Sequence, residues 1–481
     1  MDVAIVGSGP NGLAAAVLMA RAGLSVRVFE AADRLGGGLR SMPLFDGEVV
    51  HDVCSAVHPM AVAAPFFRRF DLEARGVELP SPAVSYAHPL DGGAGIAYRD
   101  LEETCERLGQ DGARWRRLMA PLARRSTQLI DFFFSDQRRL PRDPVATLLL
   151  GLRTLQHGTA LSRHAFCGRQ APALLAGVAA HSVGRLPSLP GGAVSLLLGH
   201  LAHTCGWPVP RGGSQRIADA MVADIERHGG TLHPGTPVTE LAELGRARAV
   251  LLDVSPSVFV RIAGRLLPPH YRRQLATFRY GPAAAKVDFL VSEPIPWADP
   301  AVGQAGTVHL GGEQAEVFAT ETGVSRGRYP DEPFVLLAQP AVADPGRARE
   351  GKWPVWAYCH LPNGDPTDPT DLIQARIERF APGFGDTVLA RHGVPAPAME
   401  AYNPNYVGGD IGAGAVNLRQ TFLRPTPRWD PHSTPLGGVY LCSASTPPGP
   451  GVHGMSGYFA AVSALRREFG IRDLPELGPA R

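Results

Sequence analysis

Val3-Ala4-Ile5-Val6-Gly7-Ser8-Gly9-Pro10-Asn11-Gly12, at the start of the chain, decides the fold. A short apolar run enters a glycine turn, and helix-forming residues Leu13 to Ala22 follow. A second β-branched run then ends in Val28-Phe29-Glu30. Gly7 permits the tight turn out of a strand, Gly9 lets the backbone approach a diphosphate, and Gly12 allows helix and strand to pack closely. Pro10 and Asn11 complete the turn and count with the glycines as cofactor-binding residues. The free N–H groups and positive end of the following helix favour phosphate charge. Glu30, at the end of the second strand, is placed to accept hydrogen bonds from ribose hydroxyls. Strand, turn, helix, strand and acid in register predict a dinucleotide site.

The next stretch narrows the nucleotide. Arg34-Leu35-Gly36-Gly37-Gly38 has no part in a minimal dinucleotide fingerprint. With the first unit it resembles the FAD signature of the amine oxidase and phytoene desaturase branch of glutathione-reductase-like flavoproteins. The resemblance implies FAD, with Arg34, Gly36 and Gly37 contacting the adenosine ribose and diphosphate. Further along, Lys286-Val287-Asp288-Phe289, His309-Leu310-Gly311-Gly312 and Asn403 to Asp410 are similar to bacterial NAD(P)/FAD-dependent oxidoreductases related to phytoene desaturase. That likeness covers nearly the whole chain. It implies that the Val238 backbone meets the adenine edge, and that the backbone of Val452 and His453 meets the N1–C2=O side of the flavin. It also implies that Cys54 to Pro59 runs beside the ring. One departure stands out, since relatives often carry glycine where this chain has Ser443 and Ser445.

The expected architecture is α/β, with a discontinuous Rossmann-like FAD-binding domain and an inserted mixed sheet-and-helix substrate domain. The FAD-binding domain is assigned to 1–75, 205–256 and 425–470. The substrate domain takes 76–204 and 257–424, with a helical subregion at about 101–204, and 471–481 form a frayed tail. Helices are predicted over Leu101–Arg125, Thr127–Phe134, Val145–Leu155, Ala171–Val183, Val194–His203 and Ser214–His228. Strand-like runs occur at Lys286–Val291, Thr307–Leu310, Glu316–Thr320, Phe334–Gln339 and Trp353–His360.

Bulk properties exclude several classes. A length of 481 residues exceeds one ordinary core. A net charge of +2 at pH 7 gives no electrostatic footprint for nucleic acid. The six cysteines are scattered without a CxxC pair, which argues against a dithiol redox motif or a zinc site and fits a reducing cytoplasm. The apolar start reads as a strand, not a signal peptide, because no basic segment precedes it. The charge-free stretch Leu186 to Pro210 is broken by Pro187, Pro190, Gly191 and Gly192. Ala193 to Trp207 is then too short to span a bilayer, which takes about 20 apolar residues. The apolar helices near 145–205 suit peripheral contact with a membrane surface. Oligomeric state is left open.

FAD makes redox chemistry the default. With one glycine fingerprint and no second unit for NAD(P)H, the small-molecule substrate itself is expected to reduce the flavin, and oxygen or a quinone to reoxidise it. The leading expectation is dehydrogenation of an apolar or specialised small metabolite. His58 and His453, in loops expected near the flavin, are the candidate proton handlers. Tyr402 and Tyr406 are candidate cavity walls, and Arg211 a candidate ring contact or helix cap. A redox-neutral isomerase using reduced FAD, an amine oxidase and a non-catalytic flavin scaffold remain alternatives. For the amine oxidase, a lysine beside the ring is hard to place, since Lys286 is read as opening a strand and Lys352 as lying in a polar turn.

Overall fold

The structure, a computed structural model, describes residues 1–45, 47–138 and 140–479. A five-stranded sheet has the order Val439–Leu441, Ala249–Leu252, Val3–Val6, Val26–Phe29, Thr231–His233, and all of its pairs are parallel. Its strands come from three separated stretches of chain, so the sheet is a Rossmann-like one interrupted twice. The helix Pro10–Arg21 is buried throughout Asn11 to Ala20. It lies between this sheet and the helices Gln215–Arg227 and Met455–Glu468. Such packing leaves no room for side chains at two glycines. A Cβ on Gly12 would lie 2.2 Å from the Gly7 carbonyl oxygen, and one on Gly457 would lie 1.8 Å from that of Asn11.

A seven-stranded sheet carries the rest, in the order Val388–Val394, Ala283–Val291, Trp353–Leu361, Val335–Ala338, Ala305–Leu310, Val84–Leu90, Gly93–Tyr98. It is antiparallel except where Ala305–Leu310 runs parallel to Val84–Leu90. Both faces are covered, which is why every residue of Ala283–Val291 is buried. One face packs on the helix Thr370–Phe380, and the other turns toward the helix Gln170–Ala180 and the cavity described below.

Several sequence expectations need correction. Glu316–Thr320 is not a strand but part of the helix Gln314–Ser325. Glu313 and Glu316 form a capping box at its start, and Val317, Glu321 and Val324 recur at helical spacing on its buried face. The expected Leu101–Arg125 helix breaks into Leu101–Arg107 and Gly112–Arg124 around a short turn at Gly109. The expected helix at 194 begins earlier, at Leu189. There Ser188 caps the Gly191 N–H and Pro190 occupies the first turn, where no donor is needed. Residues 471–479 are not frayed. Leu477 is buried, and the Glu476 and Leu477 carbonyls accept hydrogen bonds from Arg21 and Arg75 at 2.8 and 2.9 Å. Among the described residues, no helix is long and apolar enough to cross a membrane.

Candidate active site

A cavity of about 1320 Å³ opens at the carboxyl ends of the parallel strands, where Val6, Phe29 and Asp253 line it. This is where open α/β sheets bind ligands. Gly7, Gly9, Pro10, Asn11, Glu30, Gly37, Val238, Val452 and His453 all line it. Gly12 and Gly36 do not. Gly36 has φ +116° and donates its N–H to Ser8 Oγ. A Cβ on Gly37 would come 2.8 Å from the Gly9 Cα, so two glycine loops pass at backbone contact. The result is a bare-backbone cradle at a helix N-terminus, with the buried Asn11 Oδ1 lacking a partner. These features fit a dinucleotide.

Glu30 is tied into this cradle. Its Oε2 accepts from Ser8 N–H at 2.9 Å and Ser8 Oγ at 2.6 Å, and its Oε1 accepts from Ala32 N–H at 3.0 Å. Arg40 completes the set with an ion pair at 3.0 Å. All four lone-pair positions are thus taken within the chain, and the Ser8 hydroxyl is the partner free to rotate away. Arg40 lines the cavity, and Arg34 does not. Arg34 is exposed and takes part through its carbonyl, which accepts from Arg40 Nε. Arg40 is buried and lies 5.3 Å over the Tyr402 ring.

Asp253, 241 positions from Gly12, accepts that residue's N–H at 2.9 Å. Burial above all pushes its carboxyl up to about 7, the nearby Glu30 charge adds to this, and the N–H groups of Gly12 and Gly9 oppose it. An acid therefore sits on the donors where a diphosphate is expected.

The two candidate histidines differ. His58 is buried and lines the cavity. Ser214 Oγ donates to the Ser55 carbonyl at 2.6 Å, so His58 Nε2 donates to Ser214 Oγ at 2.8 Å. That fixes the tautomer and leaves Nδ1 as a buried acceptor without a partner. Burial pushes the imidazole down to about 4. His453 has both nitrogens committed. Nε2 donates to the Gly449 carbonyl at 3.0 Å, and Nδ1 accepts from Met455 N–H at 3.0 Å. It fastens the loop ahead of the last helix and has no lone pair left for proton transfer.

Tyr402 and Tyr406 line the cavity as expected of aromatic walls. Arg211 does not; it is exposed and paired with Glu78 at 2.7 Å. Lys286 does not open its strand but lies inside Ala283–Val291. It is buried, with its ammonium bonded to the Asp288 carboxylate and 5.8 Å from the Trp356 ring. Ser443 and Ser445 donate to the Val254 and Ala413 carbonyls, each at 2.7 Å, and so stiffen a loop where glycine would not. Arg40, His181 and Arg424 also line the cavity and were not singled out from the sequence. His181 Nε2 is 2.8 Å from His309 Nε2, a pairing no local motif announces. No group of three or more possible metal ligands occurs among the described residues.

Comparison with known proteins identifies the family of the chain. The chain is 24% identical to the rat protein "Pyridine nucleotide-disulfide oxidoreductase domain-containing protein 2", over 97% of this chain and 93% of that one. It is 26% identical to hydroxyneurosporene desaturase of Cereibacter sphaeroides, over 96% and 97%. Among solved structures, putrescine oxidase bound to putrescine superposes with a TM-score of 0.58 at 18% identity, covering 98% of each chain. Cyclohexylamine oxidase from Brevibacterium oxydans IH-35A gives 0.58 at 16%, covering 97% and 98%, so the fold is shared. The profile of the flavin containing amine oxidoreductases matches residues 11–260, more than half of the chain. The chain belongs to that family and is an FAD-dependent oxidoreductase.

Proposed function

We propose that the protein dehydrogenates an apolar small molecule, and that one observation carries this reading. The cavity lined by the glycine cradle is also lined by the apolar side chains of Phe132–Phe134, Leu197, Trp207 and Leu336. FAD, when bound, would supply the two-electron acceptor for a hydride leaving a substrate carbon. In this reading the Gly7–Asn11 turn and the Glu30–Arg40 pair hold the adenosine diphosphate half. The Val238 backbone would hold the adenine, and the Val452–His453 backbone the flavin. His58 Nδ1 takes the substrate proton, with Ser214 holding the ring, and the apolar walls exclude water. Oxygen or a quinone serves as the final acceptor. The test is an anaerobic panel of polyenes, hydrophobic acids and amines. The reading expects one class to bleach the flavin and to yield a product two hydrogens lighter. His58→Gln should keep its FAD and slow flavin reduction by about 10²–10⁴-fold; an unchanged rate removes His58 from the chemistry.

Amine oxidation is the second reading, favoured by the family. Bleaching by amines alone would select it.

The same cavity has an apolar rim. Val145, Leu148, Leu152 and Leu155 are 60, 65, 58 and 50% exposed along the helix Pro144–His157, and the last three also line the cavity. This supports entry of substrate from a membrane surface, because a buried leucine gains about 1.5–3 kcal/mol over an exposed one. Leu148→Asp with Leu152→Asp should cut cosedimentation with phosphatidylglycerol vesicles at least tenfold without loss of FAD. Equal sedimentation of variant and wild type would refute this.

A further inference from the structure

Arg424 is a buried cation of the cavity that the cofactor reading does not use and that forms no ion pair among the described residues. It is 3% exposed and lines the cavity. Its Nε donates to the Gln420 carbonyl at 3.0 Å and its Nη1 to the Ala444 carbonyl at 2.9 Å. Two of the five N–H groups of a guanidinium are thereby accounted for, and no other acceptor for it is found among the described residues. Both bonds run to neutral carbonyls, so neither brings an opposing charge to the guanidinium. Asp410 acts on Arg424 only at longer range. Its own oxygens already accept from the N–H groups of Gly281, Gly412 and Gly414 at 2.7 to 2.9 Å. Arg40, the other buried cation on the cavity, is matched by Glu30. Burial lowers the Arg424 guanidinium to about 10, which leaves it charged at neutral pH.

An unpaired buried cation is costly unless a ligand completes it. The surroundings say what kind of ligand. Leu418 and Phe422, on the helix that ends just before Arg424, and Ile411 line the same cavity. A bidentate fork set in an apolar wall matches a flat carboxylate carried on a hydrocarbon body.

We propose that Arg424 is an anion subsite of the cavity, and that the substrate is an amphipathic acid whose carboxylate docks on its free N–H groups. This rests on the reading of the cavity as the substrate site. A second anion of suitable chemistry is the cofactor diphosphate, and the test separates the two. Reconstituted holoenzyme is titrated at neutral pH with dodecanoate and with dodecanol, and binding is read as a perturbation of the flavin absorption band. FAD retention is measured in parallel. A charged hydrogen-bonded pair in such a site favours the acid over the alcohol by about 10- to 100-fold in Kd. In Arg424→Met the acid should lose that advantage, dodecanol should bind as before, and FAD content should be unchanged. Arg424→Lys should restore part of the preference, because it keeps the charge and loses the fork. Equal binding of acid and alcohol to the wild type would overturn the proposal, and that comparison needs no variant. Loss of FAD from both Arg424→Met and Arg424→Lys would overturn it too, by assigning the arginine to the cofactor phosphates. The readout needs no turnover. A protein that prefers the acid yet oxidises nothing would keep the subsite and lose the dehydrogenase reading.

Discussion

Gly12→Ala should purify without flavin and fail to retain it when FAD is added. The added Cβ meets the Gly7 carbonyl oxygen at 2.2 Å and the Asp253 Cβ at 3.1 Å. Neither contact is the end of a flexible side chain. The helix cannot retreat, because on its far side the Gly457 backbone already touches Asn11, and residues 11–20 are buried on every flank. The turn between Val6 and Pro10 must therefore deform. Overpacking of a well-fitted core costs about 1–3 kcal/mol and sometimes more, and a clash with backbone belongs at the upper end. A displacement of about an ångström at a positioning element costs about 100-fold. The expected outcome is a Tm several degrees lower and at least a 100-fold weaker FAD affinity, read by thermal melting and by flavin content after gel filtration. Stoichiometric FAD in this variant would mean that the turn is not the cradle.

Asp253→Asn should act in the opposite direction on stability. The folded protein holds this carboxyl at about 7, above its ordinary 3.8. Because the folded value is the higher one, folding favours the neutral form. The stability this contributes is fully present below about pH 3.8. It is lost as pH rises toward 7, since the unfolded chain ionises first, and above 7 the loss is complete. At about 1.4 kcal/mol per pH unit the whole effect is about 4.5 kcal/mol as an upper figure. Asparagine keeps an oxygen for the Gly12 N–H and carries no charge. The apo variant should therefore gain about 2–4 kcal/mol above pH 7 and little near pH 4, measured by urea unfolding across pH. FAD binding should report the same group. Wild-type affinity should weaken by about tenfold per pH unit above 7, because a carboxylate opposes the incoming diphosphate, whereas the variant should show a flat profile. Parallel pH profiles for the two proteins would remove Asp253 from the cradle.

The glycine turn and Glu30 were legible because their chemistry is local, with each residue's task set by neighbours within a strand–turn–helix unit. Asp253 was visible only as the end of a strand. Its carboxyl reaches Gly12 through parallel pairing of Ala249–Leu252 with Val3–Val6, a register no local pattern encodes. Arg34 and Arg40 show the same limit. Both follow Glu30, and the 3₁₀ turn at Gly37–Leu39 decides which of them turns inward. The strands Val84–Leu90 and Gly93–Tyr98 carry Pro89, Gly93 and Gly95, which read as turn residues, so they escaped notice. Glu316–Thr320 reads equally well at either period until its capping acids are counted. His453 lines the cavity, but whether its nitrogens were free depended on how the Gly449–Met455 loop closes.

A single anaerobic turnover tests the central claim most directly. The holoenzyme, oxidised in one sample and reduced beforehand with dithionite in another, is mixed with less than one equivalent of a compound it converts, and product mass is compared with flavin reduced. The account predicts one product molecule, lighter by two hydrogens, for each flavin reduced. A product of unchanged mass, formed without flavin bleaching, would contradict it and leave an isomerase.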